Sequence, residues 1–316
     1  MPKVSVIIPT YNRQKVVGES VQSVLNQTKR DLEVIVVDDG SMDNTREVVE
    51  ALADARVNYF YKTNGGTGSA RNFGLSRARG EYIAFLDSDD LWPVNYLEVM
   101  VSHLEQQKEY GLTYCSIGYF SSDCDRVKVH FKPEDCKSGW ITVAFFKKEF
   151  VSPVATVLRR KVIEKFYFDE SLPNAQDYDF FLRLSLRTRF LYIPDLLVRT
   201  RETPGSRGRS VGTNCSQALS LERFYLRLGG GKIVPGITAR KKISRLYRRV
   251  AEARRREGKK CAAITLYKRA VRYFPFDLRL YIGFLKALCL NSRKDPQPDW
   301  KMPPPLGDPI VDDGFS

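Results

Sequence analysis

At 316 residues with 43% apolar side chains, the chain is long enough for one large domain and a smaller one, and too apolar to be disordered throughout. It has no run of eighteen or more apolar residues, which excludes a transmembrane helix at the sequence level, and Met1 to Ile8 reads as a strand rather than a signal peptide, so a cytoplasmic location is expected. The formal charge of +14 suits an anionic partner; the six cysteines (Cys115, Cys124, Cys136, Cys215, Cys261, Cys289) form no C-x-x-C pair, and with only His103 and His130 besides they read as reduced thiols, not zinc ligands.

Val4 to Ile8 is a continuous apolar run ending at Pro9, the pattern of a buried parallel strand. Asn12 is expected to cap the next helix, in which Val16, Val17, Val21, Val24 and Leu25 recur at helical spacing. A second strand, Leu32 to Val37, ends in Asp38-Asp39-Gly40-Ser41, and Asp43-Asn44-Thr45 opens a helix to about Ala53. A third, Val57 to Tyr61, leads into Asn64-Gly65-Gly66-Thr67-Gly68, too glycine-rich for a helix interior. Helix Ser69 to Arg79 follows, then strand Tyr82 to Leu86. Strand and helix thus alternate four times, which predicts an α/β fold with a mostly parallel sheet, helices on both faces and a ligand crevice at the carboxyl ends of the strands.

The fourth strand runs straight into Asp87-Ser88-Asp89-Asp90. Folding does not need three carboxylates there. Such a cluster repels itself unless a divalent cation or a metal-bound phosphate neutralises it.

Four segments in fixed order carry a family resemblance: Val4-Ser5-Val6-Ile7-Ile8-Pro9-Thr10-Tyr11-Asn12, Val36-Val37-Asp38-Asp39-Gly40-Ser41, Ala70-Arg71-Asn72 with Gly74, and Leu86-Asp87-Ser88-Asp89-Asp90. Over roughly residues 3 to 215 the chain resembles the inverting family 2 glycosyltransferases of GT-A fold, a Rossmann-like sheet flanked by helices. The resemblance implies a nucleotide-sugar donor, a UDP-sugar by the Asp39 signature, and a Mn²⁺ or Mg²⁺ cofactor. Asp39 would accept the uracil N3 proton beside Pro9, Thr10 and Tyr11. Arg71 would reach the nucleotide as a fixed charge, Asp87 and Ser88 would face the ribose or the metal shell, and Asp89 would ligate the metal with the diphosphate. Asp90 is read as a cap of the following helix.

Inverting displacement needs a base opposite the leaving diphosphate. The family supplies it as a carboxylate in a Glu-Asp pair after an F-D-E segment; here Phe168-Asp169-Glu170 precedes Gln176-Asp177. Asp177 is therefore the implied base. Gln176 departs from the family's Glu, removing a charge that would hinder Asp177 ionisation. Asp179 is expected to point elsewhere. Further on, Thr203 to Ser210 resembles the family's lid, with Glu202 where a histidine often stands and Arg207 and Arg209 as phosphate clamps. Without a Q-x-x-R-W motif or membrane spans, processive polysaccharide synthesis is not expected.

Beyond residue 228 the pattern changes. Between Arg240 and Arg272, fourteen Lys and Arg stand against Glu252 and Glu257, a local excess of twelve positive charges. Tyr247, Val250, Ala251, Gly258, Ala263, Tyr267, Ala270 and Pro275 fall at the spacings of a tetratricopeptide repeat of about 34 residues, with Leu278 to Leu290 opening a further unit. The expected organisation is a catalytic domain over 1–228, a helical extension over 229–294 and a disordered tail over 295–316. One repeat cannot bury its own apolar face, so docking or homo-oligomerisation through it is expected, and its cations suit the anionic inner face of a membrane. No nucleic-acid partner is expected, because the apolar positions among the arginines are taken by the repeat. The reading is a metal-dependent transferase moving sugar to a hydroxyl of a glycan or lipid-linked surface-polysaccharide precursor. The alternative is a non-catalytic nucleotide-sugar or glycan binder using the helical extension as an interaction module.

Overall fold

The structure, a computed structural model, describes residues 1–121, 124–129, 131–201 and 211–290. Glu202, Arg207, Arg209 and the 295–316 tail lie outside the described residues. By packing, the chain divides into two compact units: Met1–Leu172 with Gln176–Ser206, and a second that holds the helices from residue 211 on.

The first unit is built on β1 (Val4–Thr10), β2 (Leu32–Asp38), β3 (Val57–Tyr61) and β4 (Tyr82–Phe85), mutually parallel and ordered β3-β2-β1-β4. Every residue of β1 and β2 is buried, because helices cover both faces. Val4, Val6 and Ile8 pack with α1 (Val17–Leu25) and α4 (Tyr96–Gln106), while Ile7 meets α3 (Thr67–Arg77) on the other side. There a Cβ on Gly74 would lie 2.5 Å from Ile7 Cγ2, so only glycine allows this helix to sit so close to the strand. A buried carboxylate locks the same corner: Glu33 accepts from Ser5 Oγ at 2.6 Å and Arg79 N at 2.8 Å, and Ser5 Oγ accepts from Gly80 N.

The sheet continues through β7 (Thr156–Arg159), antiparallel to β4, then β5 (Tyr110–Ser121) and β6 (Cys124–Val129), with β8 (Arg189–Arg201) parallel to β5. The expected mixed, mostly parallel α/β sheet is present, with its antiparallel part in the segment that the alternating pattern does not reach.

Two caps are corrected. Asn12 does not cap α1, which starts five residues later; its backbone takes a left-handed φ of 50°, and it bonds Ser41 and Met42 in the β2 loop instead. Asp90 does not cap α4, whose N-cap is Asn95; it is buried and accepts from Arg201 N at 3.2 Å and Thr200 Oγ1 at 3.4 Å, at the end of β8. In each case a tertiary partner outcompetes the local one.

The second unit contains α7 (Val211–Arg227), α8 (Gly236–Arg256), α9 (Lys260–Tyr273) and α10 (Leu278–Leu288). The division falls near residue 206 rather than at the expected 228, because α7 is bonded into the helical unit. Its buried Glu222 accepts from Tyr247 Oη at 2.7 Å on α8 and from Arg269 and Tyr273 on α9. Helices occupy the positions that the repeat spacing assigned; their membership of the tetratricopeptide class remains a reading of that spacing. Part of the basic excess is paired internally, Arg248 with Glu252 and Arg254 with Glu257 at 2.7 Å. Cys115, Cys136, Cys215, Cys261 and Cys289 are free thiols, and among the described residues no helix is long and apolar enough to cross a membrane.

Candidate active site

The carboxyl ends of β1, β2 and β4 lie side by side, with Thr10 opposite Asp38 and Ile7 opposite Phe85, so the residues that follow each strand share one edge. Pro9 is buried, and Tyr11 stands at the rim, 42% exposed. Thr10 is buried, and its Oγ1 has no hydrogen-bond partner among the described residues. An orphaned hydroxyl costs stability unless a ligand satisfies it.

Asp39 is buried and accepts from Lys62 Nζ at 2.8 Å, Gly65 N at 2.9 Å and Gly66 N at 2.7 Å. Gly66 takes φ +86°, a conformation that glycine adopts without strain and that turns its N–H onto the carboxylate. Three of about four acceptor positions are used, leaving room for one more donor. The neighbouring Ser41 amide bonds Asp38, not Asp39.

Beyond β4, Asp87 is 39% exposed, Ser88 is buried, and Asp89 is partly buried with Arg13 Nη2 at 3.5 Å. Burial and then the charge of Asp87 push the Asp89 pKa up, against the pull of Arg13. Asp90 is pushed up to about 8, first by burial, then by Asp87 and Asp89. Among the described residues no group of three His, Cys, Asp or Glu is arranged to hold a metal. The donor set fits Mg²⁺ or Mn²⁺ held by one or two carboxylates, with the remaining ligands from a diphosphate and water. The mutual repulsion of the three acids is the observation favouring a cation there.

Arg71 is turned inward, its Nη2 donating to Asp87 Oδ1 at 2.8 Å and its Nη1 to Asp177 Oδ1, so it is tied to two carboxylates of the expected site. Asp177 lies in the first turn of α6 (Gln176–Leu184) and keeps its side chain 37% exposed. Burial first, and then the charge of Asp87, raise its pKa against the pull of Arg71, which favours proton acceptance. Asp179 is buried and bound to Arg183 at 2.7 Å, facing away as expected. Gln176 donates to Leu172 O, and its side chain lies against Gly68.

Sequence reasoning missed three contributors. Asn72 accepts from Phe168 N at 2.8 Å and donates to Phe168 O at 2.9 Å, fastening the F-D-E segment to α3; its place in the Ala70-Arg71-Asn72 motif was the available signal. Lys62 on Asp39 and Arg13 on Asp89 carry no motif signal, being cations brought in by loop geometry.

The description Glycosyl transferase family 2 matches residues 5–167, just over half the chain. The chain belongs to glycosyl transferase family 2. An uncharacterized glycosyltransferase of Methanocaldococcus jannaschii is 32% identical over 206 residues, covering 63% of this chain and 71% of that protein. The chain spans between 15% and 71% of the length of the first curated relatives that it matches. Among solved structures, Staphylococcus aureus TarS 1-349 in complex with UDP-GlcNAc aligns with TM-score 0.62 at 20% identity, over 90% of this chain and 88% of that one. A mannosyltransferase of Pyrobaculum calidifontis in complex with GDP-Man and Mn²⁺ aligns with TM-score 0.55 at 21% identity, over 92% and 88%. At these identities the family 2 chain shares their fold.

Proposed function

We propose that this family 2 glycosyltransferase is a metal-dependent inverting enzyme that moves a sugar from a nucleotide donor, a UDP-sugar, to a hydroxyl of a glycan or lipid-linked surface-glycan precursor. The observation that carries the reading is the convergence of Thr10, Asp39, Asp87 and Asp89 on one sheet edge, with Asp177 tied to the same cluster through Arg71. Asp39 has an acceptor position for the uracil N3–H, and the Thr10 hydroxyl lacks the partner that a nucleotide would give it. Asp89 would hold a Mn²⁺ or Mg²⁺, which when bound stabilises the charge on the leaving diphosphate.

In this reading the acceptor oxygen bonds to the anomeric carbon as that carbon's bond to the diphosphate oxygen breaks. The electron pair leaves with the nucleoside diphosphate, and the hydroxyl proton passes to Asp177. Arg71 occupies only Oδ1, so among the described residues Oδ2 is open to receive it. The TarS and mannosyltransferase complexes, with UDP-GlcNAc and with GDP-Man and Mn²⁺, support a nucleotide-sugar donor by shared fold.

Thermal shift against a panel of UDP- and GDP-sugars, followed by donor hydrolysis with and without Mn²⁺, tests the reading. Asp177→Asn should lower kcat by on the order of 10²-fold while UDP affinity stays normal. Wild-type turnover undiminished in EDTA would remove the metal from the proposal, and full activity of Asp177→Asn would remove the base.

A further inference from the structure

Arg71 is only 2% exposed, yet the two carboxylates it holds are 39% and 37% exposed. The cation sits behind them and they face outward. Its own position is fixed from the far side: the guanidinium carbon lies 5.4 Å from the Phe168 ring centroid, and Phe168 stacks on Phe180 at 4.1 Å. Asp87 follows β4 and Asp177 lies in the first turn of α6. Among the described contacts no direct hydrogen bond joins them; one planar fork does.

We propose that Arg71 is a positioning residue: anchored on the donor-side carboxylate Asp87, it sets the orientation of the base Asp177 and acts on sugar transfer only through that base, without touching the nucleotide. The inference rests on the glycosyl-transfer reading above. Its physical ground is the guanidinium itself, a rigid plane with two terminal nitrogens that can hold two carboxylates at a fixed spacing. A lysine ammonium keeps the charge but is a point on a flexible stem. Arg71→Lys therefore preserves electrostatics and removes geometry.

The test compares Arg71→Lys with the wild type in kcat, donor KM, UDP affinity with Mn²⁺ and thermal midpoint. A misplaced base costs about 10²-fold, so kcat should fall by roughly that factor while KM and UDP affinity change less than about twofold. The decisive readout is the double variant with Asp177→Asn. If Arg71 works through the base, Arg71→Lys adds no further loss there, because the group that it positions is already disabled. If lysine does not fold, the shorter, neutral and planar Arg71→Gln takes its place in the same cycle. Raised KM with unchanged kcat would make Arg71 a nucleotide contact and overturn the inference, as would a full additional loss in the double variant, the mark of a structural role. A wild type that transfers sugar from no nucleotide donor would sink the glycosyl-transfer reading and this inference with it. A working wild type with an equally fast Arg71→Lys overturns the inference alone.

Discussion

The Asn72 amide brackets the backbone of Phe168, taking its N–H at 2.8 Å and giving a proton to its carbonyl at 2.9 Å, with a further bond from Nδ2 to Glu170 at 2.7 Å. Phe168 in turn carries the Arg71 guanidinium on its ring face. Asn72→Ala should destabilise the protein by about 1–3 kcal/mol, since it leaves backbone groups of Phe168 unpaired. It should also slow transfer about tenfold with UDP affinity unchanged, through the loosened Phe168 and Arg71. Denaturant melts and single-turnover rates on the same preparation check both.

The acid cluster predicts a specific pH dependence. Asp90 is raised to about 8, whereas in an unfolded chain it titrates near ~3.9. Below the lower value its contribution to stability is fully present; the folded state then holds a proton that the unfolded chain has lost, so stability falls as pH rises and the loss is complete above about 8. Without added metal, the thermal midpoint of the wild type should fall relative to Asp90→Asn between pH 6 and 8. Mn²⁺ with UDP should remove much of that difference, because the cation takes over the neutralisation. Parallel midpoints for the two proteins across this range would refute the assignment.

Glu33 works in the opposite direction. Burial pushes its pKa up, but hydrogen bonds from Ser5 and Arg79 more than offset this and leave it below the ordinary carboxylate value. Its contribution is therefore present above about pH 4.3 and lost as pH falls through the lower folded value. Glu33→Gln should cost about 1–2 kcal/mol at pH 7, a figure kept small because Arg79 is largely exposed. The cost should shrink at pH 3, as measured by urea titration at the two pH values.

The helical unit offers a test of membrane contact, proposed from its cations. Arg254 is paired with Glu257 and Arg248 with Glu252, so the exposed Arg240, Arg245 and Arg256 are the better probes. The protein should co-sediment with acidic and not with neutral vesicles, and replacing these three by Ser should weaken sedimentation while sparing transfer to a small soluble acceptor. Each cation at such a surface contributes roughly 1 kcal/mol. Salt near ~1 M should mimic the triple variant, because the Debye length shortens to about 3 Å. Equal sedimentation with both vesicle types would leave the helices a docking element only.

By itself the sequence determined the first four strands, their parallel character and the acids at their ends, but not β5 to β8. Val57–Tyr61 is placed residue for residue, and Val4–Thr10, Leu32–Asp38 and Tyr82–Phe85 differ from expectation by one or two residues at one end. A strand buried on both faces is mostly apolar, so its boundaries and the polar residues that follow are largely local information. The places of Asp39, Asp87 and Asp89 after strand ends followed from the same pattern, whereas their roles and that of Asp177 came from the family resemblance. The tertiary structure alone decided where the polar side chains point. Asn72 meets Phe168 from 96 residues away, Asp90 meets Arg201 from 111, and Arg71 meets Asp177 at a separation of 106. The helix from Val211 joined the second unit because Glu222 meets Tyr247, Arg269 and Tyr273 there. A buried charge or amide takes whichever partner the crossing of chain segments brings within 3 Å, and its desolvation penalty makes that choice outweigh any local cap or turn.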